Sequence, residues 1–115
     1  MKGVPFEVRE ALVKWATHAP AANTDAVCTL AAEAGTRHAL KKVWFSYDAD
    51  PAGSITIVAT VKGVETTFKL DVTVKGVDRI DFSELAMVGD ANTAITITLA
   101  AGGQGVTGKL VAMYR

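Results

Sequence analysis

The chain has 115 residues, enough for one domain with a modest core. Twelve Lys and Arg balance twelve Asp and Glu, so no net charge draws it to nucleic acid or to an anionic membrane surface. The apolar fraction of 50% is a globular value, no apolar run reaches the ~18 residues of a membrane span, and a single cysteine excludes an intrachain disulfide or a cysteine-based metal cluster.

The opening "MKGVPFEVRE" carries charges and a proline where a secretory signal needs an apolar run, so synthesis in a reducing cytoplasm is expected. Pro5 interrupts strand pairing, and apolar residues such as Phe6 stand singly among charges. Residues 1–10 are therefore expected to form an arm on a partner, with residues 11–115 as the domain proper. The stretch 5–16, "PFEVREALVKWA", also fits an amphipathic helix with Phe6, Leu12, Val13 and Ala16 near one face. Arm, strand and helix all stay open for it.

Downstream, alternation takes over. Strands are expected at 12–18, 26–32, 38–47, 54–61, 66–74, 77–82, 94–101 and 107–114, separated by "HAPAANTD", "EAGTR", "DADPAGS", "VKGV", "VGDAN" and "GGQG". Eight short strands with turn signals between them predict an all-β, antiparallel two-sheet sandwich of jelly-roll kind. The expected core includes Cys28, Ile57, Phe68, Leu70, Val72, Ile97 and Leu99, with Val74 on the same inward set as Phe68. The phrase "ANTDAVCTLAA" (22–32) returns as "ANTAITITLAA" (91–101). Each copy puts Asn and Thr in a turn before an alternating strand, where the Asn side chain can bond back to the chain. The two read as equivalent strand entries related by the pseudo-symmetry of the sandwich, or as convergent turn chemistry. Their alignment sets Cys28 opposite Ile97, as a small buried apolar residue rather than a nucleophile.

In strand 38–47, Val43, Phe45 and Tyr47 alternate to one face, while Leu40, Lys42, Trp44 and Ser46 take the other. If the first set is core, Trp44 emerges beside Lys42 as an interface anchor. The competing reading buries Trp44 under a loop, and Trp15 is ambiguous in the same way. Phe6, Lys42 and Trp44 are the candidate interface residues.

Catalytic, cofactor and metal residues are not expected. "GQGVTG" (103–108) matches a dinucleotide fingerprint, but the following "KLVAMYR" leaves no room for the helix that holds the pyrophosphate, so a glycine-rich hairpin loop is predicted. His18 and His38 have no serine and carboxylate in triad context, and His38 is expected to cap a strand or lie at the surface. "DADPAG" starts like a calcium loop and lacks the later ligands.

The runs "EAGTRHALKKVWFSYDADPAGSITI" and "DANTAITITLAAGGQGVTGKLVAMYR" together resemble small all-β structural proteins of tailed-phage and prophage virions, of the capsid-decoration or head-fibre kind. The likeness spans about residues 20–115 and carries no catalytic motif. It implies a non-enzymatic virion protein, made in the host cytoplasm and placed on the capsid surface. The implied partners are the major capsid protein and further copies of the chain, a homotrimer being favoured, and neither nucleic acid nor membrane. Zero net charge suits such association. The alternative is a tail-associated receptor- or carbohydrate-binding sandwich, with Trp44, Tyr47 and Asp48 lining a shallow site.

Overall fold

A computed structural model describes residues 13–82 and 87–115. The arm predicted at 1–10, Phe6 with it, and most of the helix considered at 5–16 lie outside these residues. Two sheets face each other. The first runs β1 (Lys14–His18), β9 (Gly108–Tyr114), β3 (Ala39–Tyr47), β6 (Gly76–Asp81), with the two-residue β7 (Met87–Val88) against the start of β3. The second runs β2 (Ala26–Leu30), β8 (Ile95–Leu99), β4 (Gly53–Val61), β5 (Val64–Val72). Pairing is antiparallel throughout the described strands. Most connections pass from one sheet to the other, which is the winding of a jelly roll.

Period-two alternation builds the core directly. Leu40, Val43, Phe45, Tyr47, Leu110 and Ala112 point inward from the first sheet, and Ala26, Cys28, Leu30, Ile55, Ile57, Ala59, Ile95, Ile97 and Leu99 meet them from the second. Leu40 was expected on the outward face with Trp44. A register shift between Leu40 and Lys42 inserts one residue, so Leu40 and Val43 share the inward side.

Cys28 pairs with Ile97 and is buried, as the repeat implied. The two repeated phrases form β2 and β8, neighbours paired to each other within one sheet rather than mates across the sandwich. Asn23 and Asn92 both take left-handed backbone (φ 55° and 67°), a conformation Asn accepts more readily than most residues. The Asn92 side chain bonds back to the main chain at a distance in sequence, its Oδ1 accepting from Gly35 N–H at 2.7 Å. The threonines bond locally instead: Thr24 Oγ1 donates to Ala22 O, and Thr93 Oγ1 to Asp90 O.

Three further expectations change. The "GQGVTG" loop joins β8 to β9, which belong to different sheets, so it is a crossover rather than a hairpin. His38 is buried, with Nε2–H donating to Ala31 O at 2.7 Å and the ring edge-on to Tyr114. Leu70 and Val74 are 46% and 68% exposed, and Phe68 and Val72 only half-buried. Among the described residues β5 is an edge strand of the second sheet, and a cleft of about 420 Å³ lined by Phe45, Leu70, Val72, Val74 and Val77 opens where it leads into β6. The inward face of β5 is thus half-covered at Phe68 and Val72 and largely open at Leu70.

Candidate interface face

The outward side chains of the first sheet form a grid fixed by strand register. Trp15, Met113, Lys42 and Asp81 stand in one row across β1, β9, β3 and β6. Thr17, Val111, Trp44 and Arg79 make the next row, and Lys109, Ser46 and Val77 the third. Trp15 and Trp44 sit on strands separated by β9 and offset by one row. Their rings stack with centroids 5.7 Å apart and planes inclined at 26°, within the offset-stacked range. Trp15 is 57% exposed, while Trp44, Val111 and Met113 are partly covered. The indoles therefore present a broad apolar surface above β9.

Charge borders this patch. Lys42 Nζ lies 6.0 Å from the Trp44 centroid, at the outer limit of a cation–π contact, and 3.7 Å from Asp81 Oδ2. About a third of each charged side chain is exposed, so the pair contributes only ~0–1 kcal/mol to folding and serves mainly to hold Lys42 beside the ring. Val77 is 78% exposed and extends the apolar surface along β6. Two shallow clefts adjoin it, one of about 310 Å³ lined by Trp44, Val77, Asp78 and Arg79 and one of about 180 Å³ that includes Trp44, Val77, Lys109 and Val111.

Of the candidate interface residues, Lys42 and Trp44 meet on this face, while Phe6 lies outside the described residues. Arg79, Asp81, Val111 and Met113 were not singled out from the sequence, which leaves Trp15 open between exposed anchor and buried ring. Alternation in β1, β6 and β9 turns each of them outward, but only the strand order brings them beside Trp44.

The shallow site of the carbohydrate reading is not assembled from Trp44, Tyr47 and Asp48. Tyr47 points into the core on the opposite side of the sheet, its hydroxyl donating to Ala100 O at 2.7 Å, and the Asp48 carboxylate accepts from Thr107 N–H at 2.7 Å. Asp50 is likewise engaged by Lys75 N–H at 3.0 Å, so the "DADPAG" carboxylates fasten loops. Among the described residues no three His, Cys, Asp or Glu side chains gather where they could hold a metal ion. Burial raises the Cys28 thiol above its ordinary range, which suits an inert core residue. The outer face of the second sheet differs sharply. Thr29, Thr96, Val58 and Thr67 share one row there, with Thr98, Thr56 and Lys69 beside it, and no aromatic ring of the described residues emerges.

The sequence matches no protein-family model and no curated protein. Among solved structures it is similar to a family 16 carbohydrate-binding module, at 11% identity over 83% of this chain and 73% of that one, with a TM-score of 0.48. It is also similar to chitosan-binding module 1 of a chitosanase/glucanase from Paenibacillus sp. IK-5, at 17% identity, 86% and 75% coverage, and a TM-score of 0.46. A third similarity is to the virus-like particle of the extra small virus of the prawn Macrobrachium rosenbergii, at 13% identity, 89% and 76% coverage, and a TM-score of 0.36. Likeness at these values is one of general shape and assigns no role to any residue.

Proposed function

We propose that the chain is a non-catalytic structural protein of a phage virion, a cement protein that binds the capsid surface through the outward face of its first sheet. The observation that carries this reading is the stacked Trp15–Trp44 pair, presented to solvent over Val111 and Met113 and bordered by Lys42, Asp81 and Arg79. Large rings around an apolar centre with a charged rim are the composition of a protein-binding hot spot. The sequence resemblance to virion proteins supports the setting. Bound to the assembled shell and not to free subunits, such a protein stabilises the shell by mass action. Adding it to undecorated capsids should raise their disruption temperature and saturate at a fixed copy number. No rise at saturating protein would dispose of the cement role.

A second reading rests on the same face. An exposed indole beside hydrogen-bonding charges can also stack on a sugar ring, which fits a tail-associated carbohydrate- or receptor-binding module. A glycan array separates the two. Binding to isolated glycans that is lost on Trp15→Ala, without any effect on capsids, would favour the module.

A further inference from the structure

One edge of the second sheet, at β5, carries a pattern of its own. β5 is nine residues long, contains no proline, and has no strand partner on its outer side among the described residues. A long open edge of this kind is a template for pairing. Val61 and Val64 flank a two-residue turn, Lys62–Gly63, whose φ values of 53° and 78° mark a type I′ hairpin. The flanking pair of such a hairpin exchanges main-chain hydrogen bonds. Even-numbered residues of β5 therefore bond to β4, and Glu65, Thr67, Lys69 and Asp71 turn their N–H and C=O outward.

We infer that β5 pairs antiparallel with β5 of a second copy about a two-fold axis at Thr67, joining the two second sheets into one continuous sheet. Charge selects this register. With Thr67 opposite its own counterpart, Glu65 faces Lys69 of the second copy and Lys69 faces its Glu65. Val64 and Leu70, 63% and 46% exposed in the single chain, then stand opposite each other on the inward face. All of these contacts fall within β5 itself. An axis at Phe68 would set Glu65 against Asp71, and one at Lys69 would oppose two lysines, each a like-charge pair that destabilises a sheet. An axis at Leu70 would match Lys69 with Asp71 but would run the pairing past the end of β5 into Val74, where the chain bends. A two-fold axis normal to the sheet keeps inward faces on one side, so the geometry closes as an isologous dimer.

Analytical ultracentrifugation of the full chain tests this. The expected mass is twice that of the chain at micromolar concentration. Glu65→Lys should weaken the dimer about tenfold, because both symmetry-related pairs become repulsive, and adding Lys69→Glu should restore it. Asp71→Lys should leave it unchanged, since Asp71 lies opposite Gly63 in this register. Thr67→Pro should give a monomer that still melts cooperatively, because the lost N–H points away from β4. A trimer, a dimer indifferent to Glu65→Lys, or a dimer weakened by Asp71→Lys and not by Glu65→Lys would each overturn the inference. So would a monomer that dimerises only after residues 1–12 are deleted, which would assign the edge to the chain's own N-terminal segment.

Discussion

Trp15 reaches Trp44 across an intervening strand: the two indoles never share a paired register, yet they stack at 5.7 Å above β9. The stack ties the edge strand β1 to β3, and it leaves one indole largely open to a partner. A double-mutant cycle on thermal stability should give a coupling of ~0.5–1.5 kcal/mol between Trp15→Ala and Trp44→Ala. Strict additivity would mean that the rings do not interact in solution.

Tyr47 closes the opposite side of the same strand. Its ring packs where Gly53, Gly102 and Gly108 have no side chains, and its hydroxyl reaches Ala100 O. A Cβ on Gly102 would stand 2.7 Å from Val106 Cγ1 and 2.9 Å from Pro51 Cβ, with the Tyr47 ring at 3.0 Å. Crowded on three sides, Gly102→Ala should cost ~1–3 kcal/mol in chemical unfolding. Tyr47→Phe should cost ~1–2 kcal/mol by leaving the Ala100 carbonyl without its donor. Neutral behaviour of both variants would contradict this packing.

Asp90 fastens the β4–β5 hairpin from outside the strand pair. Its two carboxylate oxygens accept from Gly63 N–H at 2.7 Å and Lys62 N–H at 2.8 Å, and these bonds hold its pKa below the ordinary 3.8. A depressed carboxyl pKa contributes stability that is complete above the unfolded value and lost as pH falls through the folded one. Asp90→Asn should therefore be less stable than the parent at neutral pH, with the gap narrowing only below about pH 4. Urea titrations at several pH values measure it. A gap that is constant with pH would exclude the charged form as its source.

Cys28 offers a cheap test of strand register. Buried opposite Ile97, its thiol should resist labelling in the native protein and react at full rate in denaturant. Fast native labelling would mean that β2 is turned over.

The fold was largely legible from alternation, because a half-buried strand must alternate and Ile55–Ala59, Ile95–Leu99 and Ala26–Leu30 do so cleanly. Two departures have physical causes that alternation cannot carry. The extra residue at Lys41 sends Leu40 inward, and a bulge leaves no mark in a run of mixed polarity. Leu70 reads as core because inward-facing and covered are the same in sequence, whereas cover depends on which strand takes the edge. Met87–Val88 is too short to alternate at all. At the candidate face, Lys42 and Trp44 could be placed outward from one strand, but their partnership with Trp15 and Asp81 belongs to strand order. Tyr47 and Trp44, three residues apart in one strand, show the limit from the other side. Odd spacing puts them on opposite faces, so they cannot line one shared site.

The most direct test is a density reconstruction of capsids incubated with the protein to saturation. The jelly roll should sit on the shell with the β1–β9–β3–β6 sheet turned toward it and Trp15 and Trp44 inside the contact, and Trp44→Ala should leave the same sites largely empty. Domains docked through another surface with that sheet facing solvent, or density confined to the tail tip, would contradict the account.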